Sequence, residues 1–111
     1  MITPTDTFKD NLAQLPSIEG VERIDFVDGT GTVLDTIPNA PGKKGSLALY
    51  QYLQQEFGTL DAKAADHGLA IFAEMVEDAR ANPGAHPNID RLVAIVNGAA
   101  PLGIKVIPAS E

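Results

Sequence analysis

Hydrophobic positions along the chain change period several times, and each change marks an element. Phe8, Leu12 and Leu15 are spaced four and three apart behind Thr7 and Asp10, a Thr-x-x-acid start of the capping-box type, which predicts a helix over 7–15 stopped by Pro16. From Val21 the period becomes two. Ile24 and Phe26 alternate with Arg23 and Asp25, Asp28-Gly29-Thr30-Gly31 interrupts, and Val33, Leu34 and Ile37 resume. This is the pattern of a hairpin with strands over 21–27 and 32–37. A loop by composition follows over 38–45, and Ser46, a favoured N-cap residue, precedes Leu47, Leu49, Tyr50, Leu53 and Phe57, with Gly58 as the stop. Asp61 opens the longest helical pattern, in which Ala65, Leu69, Phe72, Val76 and Ala79 recur at helical spacing up to Asn82-Pro83-Gly84. His86-Pro87-Asn88 starts another, through Ile89, Leu92, Val93 and Val96 to Gly98, and Ile104 to Ile107 reads as a last strand. The order predicts an α+β fold: a small antiparallel sheet, made of the β-hairpin plus a C-terminal strand, covered on one face by about four helices. Whether the last strand joins at an edge or in the centre is open at this level.

The chain has 111 residues, enough for a single domain over 1–111, with residues 1–5 expected as a flexible N-terminal tail. Zero Cys excludes a disulfide framework, a thiolate zinc site and a cysteine nucleophile. Fifteen acidic against eight basic side chains give a net charge of −7, the wrong sign for binding nucleic acid or an anionic membrane. The first residues carry no basic region followed by an apolar run, and no stretch approaches the length of a membrane span. A cytoplasmic protein is expected.

Chemistry is concentrated at two places. Gly42-Lys43-Lys44-Gly45-Ser46 is a basic, glycine-bounded turn entering a helix, where free backbone N–H groups and the positive end of the helix dipole suit a phosphate or carboxylate. It lacks the spacing of a phosphate-binding G-x-x-x-x-G-K-[ST] loop. The plainer reading is that the glycines serve the backbone, Ser46 caps the helix and Lys43 and Lys44 are solvated. His86, Asn88 and Arg91, with Asp90, gather an imidazole, an amide, a guanidinium and a carboxylate at the next helix start. There the plainer reading has Asn88 or the preceding loop capping, Pro87 in the first turn, and Arg91 paired with Asp90 or Asp78.

His67, Glu74 and Asp78 fall on one side of the long helical pattern, but His67 and Glu74 stand about 10 Å apart along its axis at the helical rise. With no H-x-x-x-H or H-E-x-x-H spacing, neither a metal nor a cofactor is expected. No G-x-S-x-G elbow is present either. A surplus apolar face on so small a domain would point to a homodimer or a protein partner.

The strings Ile37-Pro38-Asn39-Ala40-Pro41-Gly42-Lys43-Lys44-Gly45-Ser46-Leu47 and Phe72 to Leu92 (FAEMVEDARANPGAHPNIDRL) resemble a family of short, mainly proteobacterial proteins classed only as a domain of unknown function. The resemblance runs from about Phe8 to Val106. It implies a bacterial, cytoplasmic, single-domain protein and brings no activity with it, so no catalytic residue is carried over.

The expected function is therefore a binding or interaction module that recognises an anionic ligand through Lys43, Lys44, Gly45, Ser46, His86, Asn88 and Arg91. The alternatives are a small enzyme acting on an anionic substrate, with Lys43, Lys44 and Arg91 as charge clamps and His86 as general acid or base, and a protein-partner adaptor. Both ligand readings require the two segments to meet in one concave site.

Overall fold

The computed structural model describes residues 1–109. Helix α1 spans Phe8–Leu12, and the Thr7 hydroxyl accepts from the Asp10 N–H at its start. The helix expected to reach Leu15 ends three residues earlier, because the chain tightens there into i→i+3 turns: Gln14 N–H donates to the Asn11 carbonyl and Leu15 N–H to that of Leu12.

Strands β1 (Val21–Val27) and β2 (Val33–Pro38) form the expected hairpin. Asp28 organises its turn. One carboxylate oxygen accepts from the N–H groups of Thr30 and Thr32 and from the Thr30 hydroxyl, and these bonds hold the carboxyl below its ordinary pKa. Strand β4 (Leu102–Pro108) lies against β1, not at an edge, and two residues, Thr59–Leu60, add a short β3 that the periodicity does not reveal. The order is β2-β1-β4-β3 and every pairing is antiparallel.

Directly paired residues share a face of an antiparallel sheet. Ile24 pairs with Ile37 and Val106, and Phe26 pairs with Asp35 and Ile104, which defines the face that joins the core. Asp25, Thr36 and Lys105 define the other. On that face the buried Asp25 carboxylate accepts from the Thr36 hydroxyl at 2.7 Å and from Arg23 Nε at 3.1 Å. The Thr36 bond lowers its pKa most, burial opposes the shift, and Arg23 lowers it further. A carboxyl with a folded pKa below its unfolded value contributes stability above the unfolded pKa and loses it as pH falls through the folded one. Thermal unfolding midpoints of the wild-type protein should therefore drop more steeply from pH 5 to pH 2 than those of Asp25→Asn. Parallel profiles would show that Asp25 contributes nothing to acid sensitivity.

Four further helices pack over the core: α2 (Lys44–Phe57), α3 (Ala62–Phe72), α4 (Met75–Ala81) and α5 (Pro87–Val96). Asp61 caps α3 as its sequence position implies, accepting from the Ala64 N–H at 2.9 Å. The single helix expected from Asp61 to Asn82 is instead two. The chain breaks at Ala73, which among the described residues is the one non-glycine with positive φ, at +54°. The break lets the Glu74 carboxylate reach the Phe8 N–H at 2.8 Å, at the start of α1, while α4 turns to pack on α5. An alanine in this backbone region carries strain of about 1 to 3 kcal/mol. Ala73→Gly should raise the unfolding free energy by about 1 kcal/mol, after the extra flexibility of the unfolded glycine is subtracted. Urea denaturation measures this, and a loss of stability would show that Ala73 carries no strain.

Residues 1–5 are tied to the domain. Ile2 N–H donates to the Tyr52 hydroxyl, Thr3 exchanges bonds with the Gln14 amide, and Thr5 with that of Asn11. Among the described residues no helix is long and apolar enough to cross a membrane.

Candidate functional site

Pro41-Gly42 sets where α2 begins. Lys43 N–H donates to the Ala40 carbonyl across a turn whose third residue, Gly42, has φ +82°, the arrangement in which Pro favours the second place and Gly the third. The chain is thereby delivered to the helix at Lys43, not at Ser46. Lys43 is the N-cap, it offers no side-chain capping bond, and Ser46 lies inside the first turn. The expected Ser46 cap is thus replaced by a turn that starts the helix three residues sooner. The N–H groups of Lys44, Gly45 and Ser46 consequently have no acceptor among the described residues. Gly45 admits the ring of Phe8: a Cβ at that position would stand 3.3 Å from two of its ring carbons.

At the second helix start the N-cap is His86, not Asn88, again without a side-chain capping bond, and Pro87 occupies the first turn. His86 Nε2 meets the Asp78 carboxylate, which is accordingly taken up by the imidazole and not by Arg91. Asp90 accepts from the Gly84 N–H at 3.0 Å.

These two helix starts face each other. Gly42, Lys43, Lys44, Gly45 and Ser46 from one, and His86 and Asn88 from the other, line one cleft of about 380 Å³. Its floor is apolar. Phe8 and Leu12 of α1, Phe72 at the end of α3, Met75 of α4 and Ile89 of α5 form it, with the Phe8 and Phe72 rings 5.0 Å apart between centroids. Lys44 Nζ is anchored on the Asn39 amide oxygen at 3.0 Å, and Asn39 in turn donates to the Val21 carbonyl. The Lys43 ammonium has no partner among the described residues and borders a second hollow of about 200 Å³ beside β2.

Arg91 stands apart from the cleft. Its guanidinium lies 3.9 Å from the centroid of the Phe26 ring, pairs with Asp35 of β2 and donates to the Asn88 amide oxygen at 3.1 Å. The partners expected for it, Asp90 and Asp78, are bound elsewhere. Asp35 is on the core-facing side of β2, and the one sequence signal for this was an acid in phase with Ile37. Beneath Arg91, the buried Tyr50 hydroxyl donates to the Asn88 carbonyl, and its pKa is pushed up to about 12 by burial, with the nearby Arg91 charge pulling the other way.

His67, Glu74 and Asp78 do not meet. The Tyr52 hydroxyl, which accepts from the Ile2 N–H, shares a hydrogen bond of 2.8 Å with His67 Nε2, and burial holds that imidazole below its ordinary pKa. Glu74 binds α1 and Asp78 binds His86. Among the described residues no three His, Asp or Glu side chains are placed to hold a metal ion. The cleft-lining residues that sequence reading missed, Phe8, Leu12, Phe72, Met75 and Ile89, carry only the signal of core positions.

Fold and cleft together define a small α+β domain with a mixed polar and apolar cleft between two helix starts. The model of a family described as an uncharacterized protein conserved in bacteria (DUF2322) matches residues 8–106, and the chain belongs to that family. No curated protein and no solved structure is a significant match to it.

Proposed function

We propose that this protein is a binding module for a small anionic ligand taken up in the cleft between the starts of α2 and α5. The observation that carries the reading is the meeting of residues 42–46 and 86–88, far apart in sequence, on one concave surface. The uncapped start of α2 brings three unused N–H groups and its positive dipole end to that region, α5 adds its own dipole end and the N–H of Asn88, since Pro87 has none and that of Ile89 is bonded to the His86 carbonyl, and two lysines add positive charge. Arg91 has no part in it, because Asp35, Asn88 and the Phe26 ring already hold its guanidinium. A ligand that binds the native state raises the unfolding midpoint by mass action. Thermal unfolding with inorganic phosphate and a panel of organic carboxylates should show a rise for at least one anion, lost in Lys43→Ala/Lys44→Ala. No rise across the panel, or a rise that the double variant keeps, rejects the reading.

One observation favours a second reading, a small enzyme acting on an anionic substrate. The Asp78 carboxylate orients His86 at the cleft wall and leaves Nδ1 as the ring atom open to a proton transfer. That reading requires His86→Gln to abolish turnover of a bound anion while leaving its affinity within a few-fold. Equal turnover in the variant removes it.

A further inference from the structure

We infer that the ligand of this cleft is a singly charged carboxylate joined to an apolar body, which rests on the anion reading above and narrows it. The floor argues for the body. An inorganic anion seated at Lys43 would leave Phe8, Leu12, Phe72, Met75 and Ile89 facing water across the cleft. Small-molecule sites bury most of a ligand against apolar side chains and use a few polar groups to orient it, and about 380 Å³ lies at the small end of their range. The cleft has that division of labour, with its cationic residues on the α2 side and its apolar residues supplied by α1, α3, α4 and α5.

The charges argue for a single negative head. Neither Lys43 nor Lys44 is paired with a carboxylate among the described residues, and the second is held only by the neutral amide of Asn39. Two carboxylates stand close to the same walls, Asp78 on His86 and Glu74 on the Phe8 N–H. A doubly charged phosphate would gain twice the attraction of a carboxylate from the lysines but also twice the repulsion from these two carboxylates, and its desolvation cost, which grows with the square of the charge, would be about fourfold. Recognition then depends on direct contact with Lys43 and the free N–H groups and not on a broad positive field, in keeping with a chain of net charge −7.

Titration calorimetry of the full chain with octanoate, acetate, octanol and octyl phosphate tests this. Octanoate should bind at least about tenfold more tightly than each of the other three. Lys43→Gln, at an exposed position, should weaken octanoate by at least about tenfold, the loss of one charge-assisted contact. Met75→Gln, at a partly exposed position on the floor, should weaken octanoate and leave acetate unchanged. Circular dichroism establishes that both variants are folded. Equal affinity for acetate and octanoate would overturn the apolar body and leave the anion reading standing. Tighter binding of octyl phosphate would overturn the single charge, again without touching that reading. Octanol binding as well as octanoate would overturn the charged head. No binding of any of the four by folded protein would overturn the inference, and the anion reading falls with it only if the wider anion panel also fails.

Discussion

Asn11→Leu is expected to lower the unfolding free energy by about 3 kcal/mol, from the loss of four hydrogen bonds, of which the one to the Ile71 carbonyl is buried. Asn11 is fully buried, yet all of its amide is used. Nδ2 donates to the carbonyls of Thr5 and Ile71, at 3.1 and 2.8 Å, and Oδ1 accepts from the N–H and the hydroxyl of Thr5. One side chain thus joins the N-terminal segment, α1 and α3. Leucine matches the amide in size but satisfies none of these groups, so the penalty comes from desolvation and not from a cavity. Urea denaturation followed by circular dichroism gives the number, and a loss below about 1 kcal/mol would show that water replaces the amide. Asn11→Asp separates hydrogen bonding from packing. An ionised carboxylate can still accept from Thr5 but faces the Ile71 carbonyl with no proton to donate. Burial and that repulsion raise its folded pKa above the unfolded value, so the variant should be more stable at low pH and lose stability as pH rises through the folded pKa.

The second large effect concerns Arg91. Arg91→Met should cost about 2 kcal/mol, because the guanidinium is nearly buried over the Phe26 ring and also holds Asn88 and Asp35. Asp35→Asn should cost under about 1 kcal/mol, since that carboxylate is largely exposed and rehydrates when it loses its partner. The contrast identifies the ring contact and the Asn88 bond as what matters. It also distinguishes the two uses of this arginine. A structural Arg91 shows its loss in stability, whereas a ligand clamp would show it in affinity at unchanged stability. Equal costs for the two variants would mean that the ion pair with Asp35 dominates.

Residues whose role depends on near neighbours were legible. The Phe8 and Leu12 spacing, the alternation through Ile24 and Phe26, the Asp61 cap and Pro87 in the first turn all act within about one helical turn or one strand, and each appears in the fold. Ser46 suits a cap by residue type, yet it lies inside the first turn of a helix that starts earlier. The type of turn that Pro41-Gly42 forms, with its effect on where the helix begins, outweighed the capping preference of a serine. The Ala73 break was not legible, because Phe72, Val76 and Ala79 keep helical spacing straight across it. The break goes with a bond from the Phe8 N–H to the Glu74 carboxylate, between residues 66 positions apart. The partner of Arg91 was missed for the same reason: Asp35 lies 56 positions away on a strand.

The sequence by itself determined that this is a small α+β domain, with its hairpin, its C-terminal strand and the segments that are helical, since periodicity and turn chemistry are local properties of the chain. Only the tertiary structure decided that β4 lies beside β1, that the longest helical pattern splits at Ala73, that Arg91 packs over the Phe26 ring, and that residues 42–46 and 86–88 share a cleft. Those outcomes depend on which distant surfaces pack together, and the free energy that selects among such packings is spread over contacts that no local pattern records.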